Sequence, residues 1–98
     1  MISVAEKLSL AISLHQKNSL REAEVMYREI LCEDPVNSDA FHLIGLIEHQ
    51  RGNHRLAIKA VDQAIFFNSK IAMYHVNRAR ILRALGFGFE AVNAARFA

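Results

Sequence analysis

Five histidines, one cysteine and a set of arginines are the side chains in this 98-residue sequence with the means to do chemistry. His15, His42, His49, His54 and His75 raise metal binding first. Two histidines on one helix can share an ion when they stand three or four residues apart, one above the other. His42 and His49 are seven apart, about 10 Å along a helix, against ligand bonds of about 2 Å. His49 and His54 straddle a turn and could meet there, but no carboxylate or Cys stands beside them at ligand spacing. Surface or groove histidines, with no metal and no cofactor, are the expectation.

Nucleophilic catalysis needs a Ser or Cys, a base and an orienting group converging on a pocket. Cys32 is followed by Glu33 and Asp34 and lacks the electropositive surroundings of a reactive thiol. It reads as an inert, partly buried side chain. The run Gly86-Phe87-Gly88-Phe89 carries two glycines but follows a helix, whereas a phosphate-binding loop follows a strand. No enzyme is expected in these residues.

The charges run from acidic to basic. Residues 1–37 hold four basic and six acidic side chains, residues 38–71 four and three, and residues 72–98 four and one. Arg78, Arg80, Arg83 and Arg96 come without interleaved stacking aromatics, so nucleic acid is not the expected partner. No apolar run reaches the ~18 residues that would suggest a membrane span. Glu6 and Lys7 interrupt the first apolar stretch, which does not read as a signal peptide. A single Cys fits a reducing, cytoplasmic setting.

The elements that position these residues follow from a repeat. His15-Gln16 and His49-Gln50 stand 34 residues apart, and the same shift places Ala23 on Ala57 and Ala91, Ala11 on Gly45 and Ala79, and Ile30 on Ala64 and Ala98. Small residues recur where antiparallel helices must approach closely, and a larger side chain there would overpack the contact. Each unit reads as two helices, at about 3–16 and 20–33, 38–51 and 54–67, then 72–85 and 89 to the end. Asn18-Ser19, Gly52-Asn53 and Gly86 break the chain inside the units, because Gly and Asn accept the left-handed backbone that ends a helix. Asp34-Pro35 breaks it between the first two units, since the residue before Pro is pushed out of the α region. Asn37 and Ser38 are suited to N-capping the next helix.

This pattern resembles the tetratricopeptide repeat, a 34-residue helix–turn–helix. The carrying residues are Leu10-Ala11, Leu14, Ala23, Tyr27 and Pro35 in the first unit. In the second they are Phe41, Ile44-Gly45, Ala57 and Val61, and in the third Ala79, Leu82, Ala91 and Ala95. Glu48 stands where an aromatic is usual, Ser69 replaces the closing Pro, and Arg78 replaces an apolar residue. The resemblance implies an all-α fold, with stacked antiparallel hairpins forming a short right-handed superhelix. It makes residues 1–98 one domain, with repeats at about 4–37, 38–71 and 72–98. The third unit stops about seven residues short of a full repeat. Phe87, Phe89, Val92 and Phe97 would then be left uncovered, and self-association through this end is one way to cover them.

The family's groove lies on the first helix of each pair. At helical spacing it takes in Leu8, Ile12 and His15, then His42, Leu46 and His49, then Met73, Val76, Asn77, Arg80 and Arg83. The surface grades from apolar through histidine-rich to basic. It implies a protein or peptide partner with an acidic end that Arg80 and Arg83 engage together. The clamp with which related domains hold a chaperone's terminal carboxylate is not implied, because Leu8 and Ile12 stand at its polar positions. An asparagine ladder would need Asn at Ser9, Leu43 and Asn77, of which only Asn77 matches. The sequence also resembles the N-terminal repeats of large bacterial proteins that continue into glycosyltransferase or sulfotransferase domains. That resemblance implies, as an alternative, a recognition arm of such a protein.

Overall fold

The computed structural model describes residues 2–86. Five helices follow in order: α1 (Val4–Gln16), α2 (Leu20–Glu33), α3 (Ser38–Gln50), α4 (His54–Phe67) and α5 (Ala72–Ala84). The expected second helix of the third unit, with Phe89, Val92 and Phe97, lies outside the described residues.

The 34-residue period is written into the backbone. Asn18, Gly52 and Gly86 all have positive φ, at 65°, 85° and 87°. Each sends its amide back to the carbonyl three residues earlier, on His15, His49 and Arg83 respectively. A left-handed residue closes the first helix at the same point of every unit. The starts are less uniform. Ser3 and Glu6 form a capping box, and the Asn37 side chain accepts from the Ala40 amide. Ile71 holds the equivalent place before α5 and offers no side-chain cap. Ser38, the other N-cap candidate, is the first helical residue of α3 instead, and its Oγ lies 3.1 Å from the Tyr74 hydroxyl.

The predicted small positions of the first two units are interior. Ala11, Ala23, Ala57 and Ala64 are fully buried, as is Ile30. Gly45 shows why size matters there. A Cβ on Gly45 would stand 2.6 Å from Val61 Cγ2 and 3.1 Å from the Ala57 carbonyl oxygen, so α3 and α4 meet backbone to side chain. Ala79 is exposed; Ala91 and Ala95, the small residues expected opposite it, lie outside the described residues. Ala11, Ala23, Tyr27, Ile30, Ala40, Ile44 and Ile47 form one buried cluster spanning α1–α3, and Ala57, Val61 and Ile81 form a second across α4 and α5.

Three departures from the repeat pattern have physical answers. Glu48 is buried, with Arg51 Nη1 at 3.1 Å and Asn53 Nδ2 at 3.0 Å both donating to its carboxylate. Arg51 also reaches Glu24 on α2 at 2.6 Å, so a charged cluster fills the space an aromatic would take. Arg78 donates to Asp62 on α4 at 2.7 Å, an ion pair in place of an apolar contact. Cys32 is exposed rather than partly buried, because position 32 falls off the Ala23–Tyr27–Ile30 stripe by which α2 faces the core. No described helix is long and apolar enough to cross a membrane.

Candidate binding groove

The first helices of the three units, α1, α3 and α5, lie in sequence along one side of the stack. α3 meets α5 through a buried polar seam. Tyr74 of α5 is almost fully buried, and its hydroxyl donates to Asp39 and lies beside Ser38 on α3. One turn on, Asn77 Nδ2 donates to His42 Nε2 at 2.9 Å, and the His42 ring sits 4.5 Å from that of Tyr74. Both residues are only 7% exposed. Burial holds the His42 imidazole below its ordinary pKa, against an opposing pull from Asp39. A neutral ring is what the hydrogen bond needs, since Nε2 must keep its lone pair. Burial pushes the Tyr74 phenol up to about 12, helped by Asp39, so it stays a donor.

α1 meets α3 through a second polar chain. The Tyr27 hydroxyl lies 3.3 Å from His15 Nδ1, and His15 Nε2 pairs with the side-chain oxygen of Gln50. The Gln50 carbonyl can only accept, so Nε2 carries the proton and Nδ1 accepts from Tyr27. Burial pushes the Tyr27 phenol to about 12, which keeps the donor end of this relay protonated.

Between the two chains lies a cavity of about 320 Å³ lined by His15, Leu46, His49, Gln50, Asn77 and Arg80. Three helices thus bring together five of the residues named from sequence. The remaining six are placed differently. His42 faces inward onto Asn77 and Tyr74 and supports the floor rather than the surface. Leu8 and Ile12 are half-buried against the α1–α3 core. Met73 and Val76 are exposed, at 55% and 45%, and do not line the cavity. Arg83 is exposed in the last turn of α5. Gln50 was missed as a lining residue because it immediately follows His49, off the three-and-four spacing used to trace the stripe. Tyr74 was missed because it reads as an ordinary apolar position.

His49 makes one further contact. Its Nδ1 is 3.0 Å from Nδ1 of His54, the first residue of α4, with ring centroids 4.9 Å apart. Burial lowers the His49 pKa, and the neighbouring His54 lowers it further. At least one ring must be neutral for the hydrogen bond to exist.

A larger open cavity, about 420 Å³, lies on the opposite side between α2 and α4. Phe41, Ile44, Leu31 and Leu56 give it an apolar floor. Glu24, Arg28 and Glu48 also line it, with Glu24 paired to Arg28 and both carboxylates paired to Arg51. Lys59 and Gln63 of α4 line it too.

No protein family matches this sequence, and neither does any curated protein. Among solved structures 46 chains match. One is the type III secretion translocator chaperone SycD of Yersinia enterocolitica, at 22% identity and a TM-score of 0.81. The match covers 90% of this chain and 66% of that one, just under two thirds of the chaperone's length. At that identity the likeness speaks to architecture: the chain has an all-α fold of stacked antiparallel helical hairpins of the tetratricopeptide kind.

Proposed function

We propose that this chain is a noncatalytic protein-interaction module that takes a peptide segment of a partner along α1, α3 and α5, with the partner's acidic end at α5. The observation that carries the reading is the cavity formed by three successive first helices, into which Arg80, His15, His49, Gln50 and Asn77 bring polar groups around Leu46. An apolar contact beside a guanidinium suits a carboxylate next to an aliphatic side chain. The exposed Met73 and Val76 extend the same helix face with apolar surface. Likeness to a chaperone of translocator proteins supports a protein partner over a small metabolite. The reading is the same for a free-standing adaptor and for a recognition arm of a longer chain.

Fluorescence anisotropy with a panel of labelled peptides tests it, each combining an apolar segment with an acidic or an amidated neutral end. Acidic peptides are expected to bind, and Arg80→Glu with Arg83→Glu to weaken them about tenfold or more, the worth of a charge-assisted hydrogen bond. Far-UV circular dichroism should be unchanged. Undiminished affinity after charge reversal would show that the groove is not the site.

A further inference from the structure

We propose, resting on the peptide-groove reading above, that the acidic group received beside α5 is a phosphorylated side chain, held by hydrogen-bond donors of His49, Gln50, Asn77 and Arg80. These four side chains line the cavity of about 320 Å³ together with His15 and Leu46. What matters is the polar atom each has left to offer once its contacts within the fold are made.

Gln50 accepts at its side-chain oxygen from His15, so its amide N–H groups are what remain free. The chain from Tyr27 through His15 thus sets which end of the Gln50 amide is spent. Asn77 gives one N–H of Nδ2 to His42 at 2.9 Å and keeps the other, along with its oxygen. The His49 Nδ1 is engaged by His54 at 3.0 Å. With His54 donating, His49 carries its proton on Nε2 and has an N–H to give. Arg80 is exposed, forms no ion pair among the described residues, and brings the five N–H groups of a guanidinium. No Asp or Glu lines the cavity. Glu48, beside His49 in the chain, is taken up by Arg51 and Asn53, and Asp39 by Tyr74.

Spare donors from two neighbouring helices, α3 and α5, thus meet in one cavity without a competing acid. A carboxylate uses both oxygens in a forked pair with one Arg, and its remaining lone pairs lie in the same plane. A phosphoryl group sets three oxygens about a tetrahedron and carries a charge of about −1.5 to −2 at pH 7. It can take the Arg80 fork on α5 and still turn an oxygen to Gln50 and His49 on α3. The Asn77 oxygen is the one acceptor among these free groups. It suits the hydroxyl of a singly protonated phosphate, a donor that an ionised carboxylate lacks.

The test is fluorescence anisotropy on the full chain with three labelled peptides, each an apolar segment followed by phosphoserine, Glu or Ser at the same place. The phosphoserine peptide should bind about tenfold more tightly than the Glu peptide, the worth of one added charge-assisted hydrogen bond. Gln50→Glu keeps an oxygen for His15 and replaces the free donors by an acceptor, so the ratio of the two affinities should shrink. Circular dichroism of the variant checks that the fold is kept. An unchanged ratio in a folded Gln50→Glu protein would overturn the donor assignment. Equal affinity of the wild-type chain for the phosphoserine and Glu peptides would overturn the phosphate and leave the acidic-peptide reading standing. Failure of all three peptides to bind would overturn both. Inorganic phosphate should displace the phosphoserine peptide only at far higher concentration; displacement at matching concentration would mean that the cavity takes the free ion rather than a peptide.

Discussion

Gly45→Ala is the sharpest test of how the hairpins close. The added methyl would meet Val61 Cγ2 at 2.6 Å and the Ala57 carbonyl at 3.1 Å, whereas ordinary carbon contacts begin near 3.5 Å. Val61 is β-branched and stiff at χ1, and the carbonyl belongs to a helix, so neither yields without moving α4. Overpacking of this kind costs about 1–3 kcal/mol, against a gain of about 1 kcal/mol in helix propensity on replacing Gly by Ala. The net expectation is a loss of about 1 kcal/mol, or about 4–8 °C in Tm for a domain of this size. Thermal melts followed at 222 nm measure it. Val61→Ala alone removes two buried methyl groups and should cost about 2 kcal/mol. It also opens the space that the Gly45→Ala methyl would take. The double variant should therefore lose less than the sum of the two singles. Additive losses, or a Gly45→Ala protein as stable as the wild type, would refute the close approach of α3 and α4.

Two further outcomes follow from the charged and titratable groups. His42 and His49 both have folded-state pKa values below the ordinary histidine value. The unfolded chain therefore binds protons that the folded one refuses, and stability falls as pH drops through about 6.5. Urea midpoints should be lower at pH 5.5 than at pH 7.5, less steeply so in His49→Gln, and equal midpoints would count against neutral, buried imidazoles. Arg51→Ala leaves the buried Glu48 carboxylate with Asn53 alone and Glu24, which Arg51 holds below the usual carboxylate range, with Arg28 alone. It should destabilise by about 2 kcal/mol, read by chemical denaturation, and Glu48→Gln in the same background should recover part of the loss.

The helices were legible because their ends are coded locally. Asn18, Gly52 and Gly86 mark turns by residue type alone, and each described helix ends within a residue of the sequence expectation. The three-and-four stripe was legible for the same reason, and it reached His15, Leu46, His49, Asn77 and Arg80. What each stripe residue touches was not legible. His42 turns inward because Asn77, 35 positions later, and the Tyr74 ring give it partners there, and one-dimensional spacing does not weigh such pairings. Glu48 read as a misfit because its answer, Arg51 with Asn53, comes from across a turn. The meeting of His49 with His54 was visible as adjacency across a turn but not as a hydrogen bond.

The seam of Ser38, Asp39 and His42 against Tyr74 and Asn77 bears on how the stack bends. Apolar surfaces tolerate sliding and rotation with little change in energy, whereas hydrogen bonds have preferred directions. Two sets of them, one turn apart along α5, fix both the rotation of α5 about its axis and its tilt against α3. The curvature between the second and third units is thus set by a handful of polar atoms, while the alanines and Gly45 set the spacing within a hairpin. Pitch and spacing are controlled by separate residues, so one can be altered in an array of such units without disturbing the other.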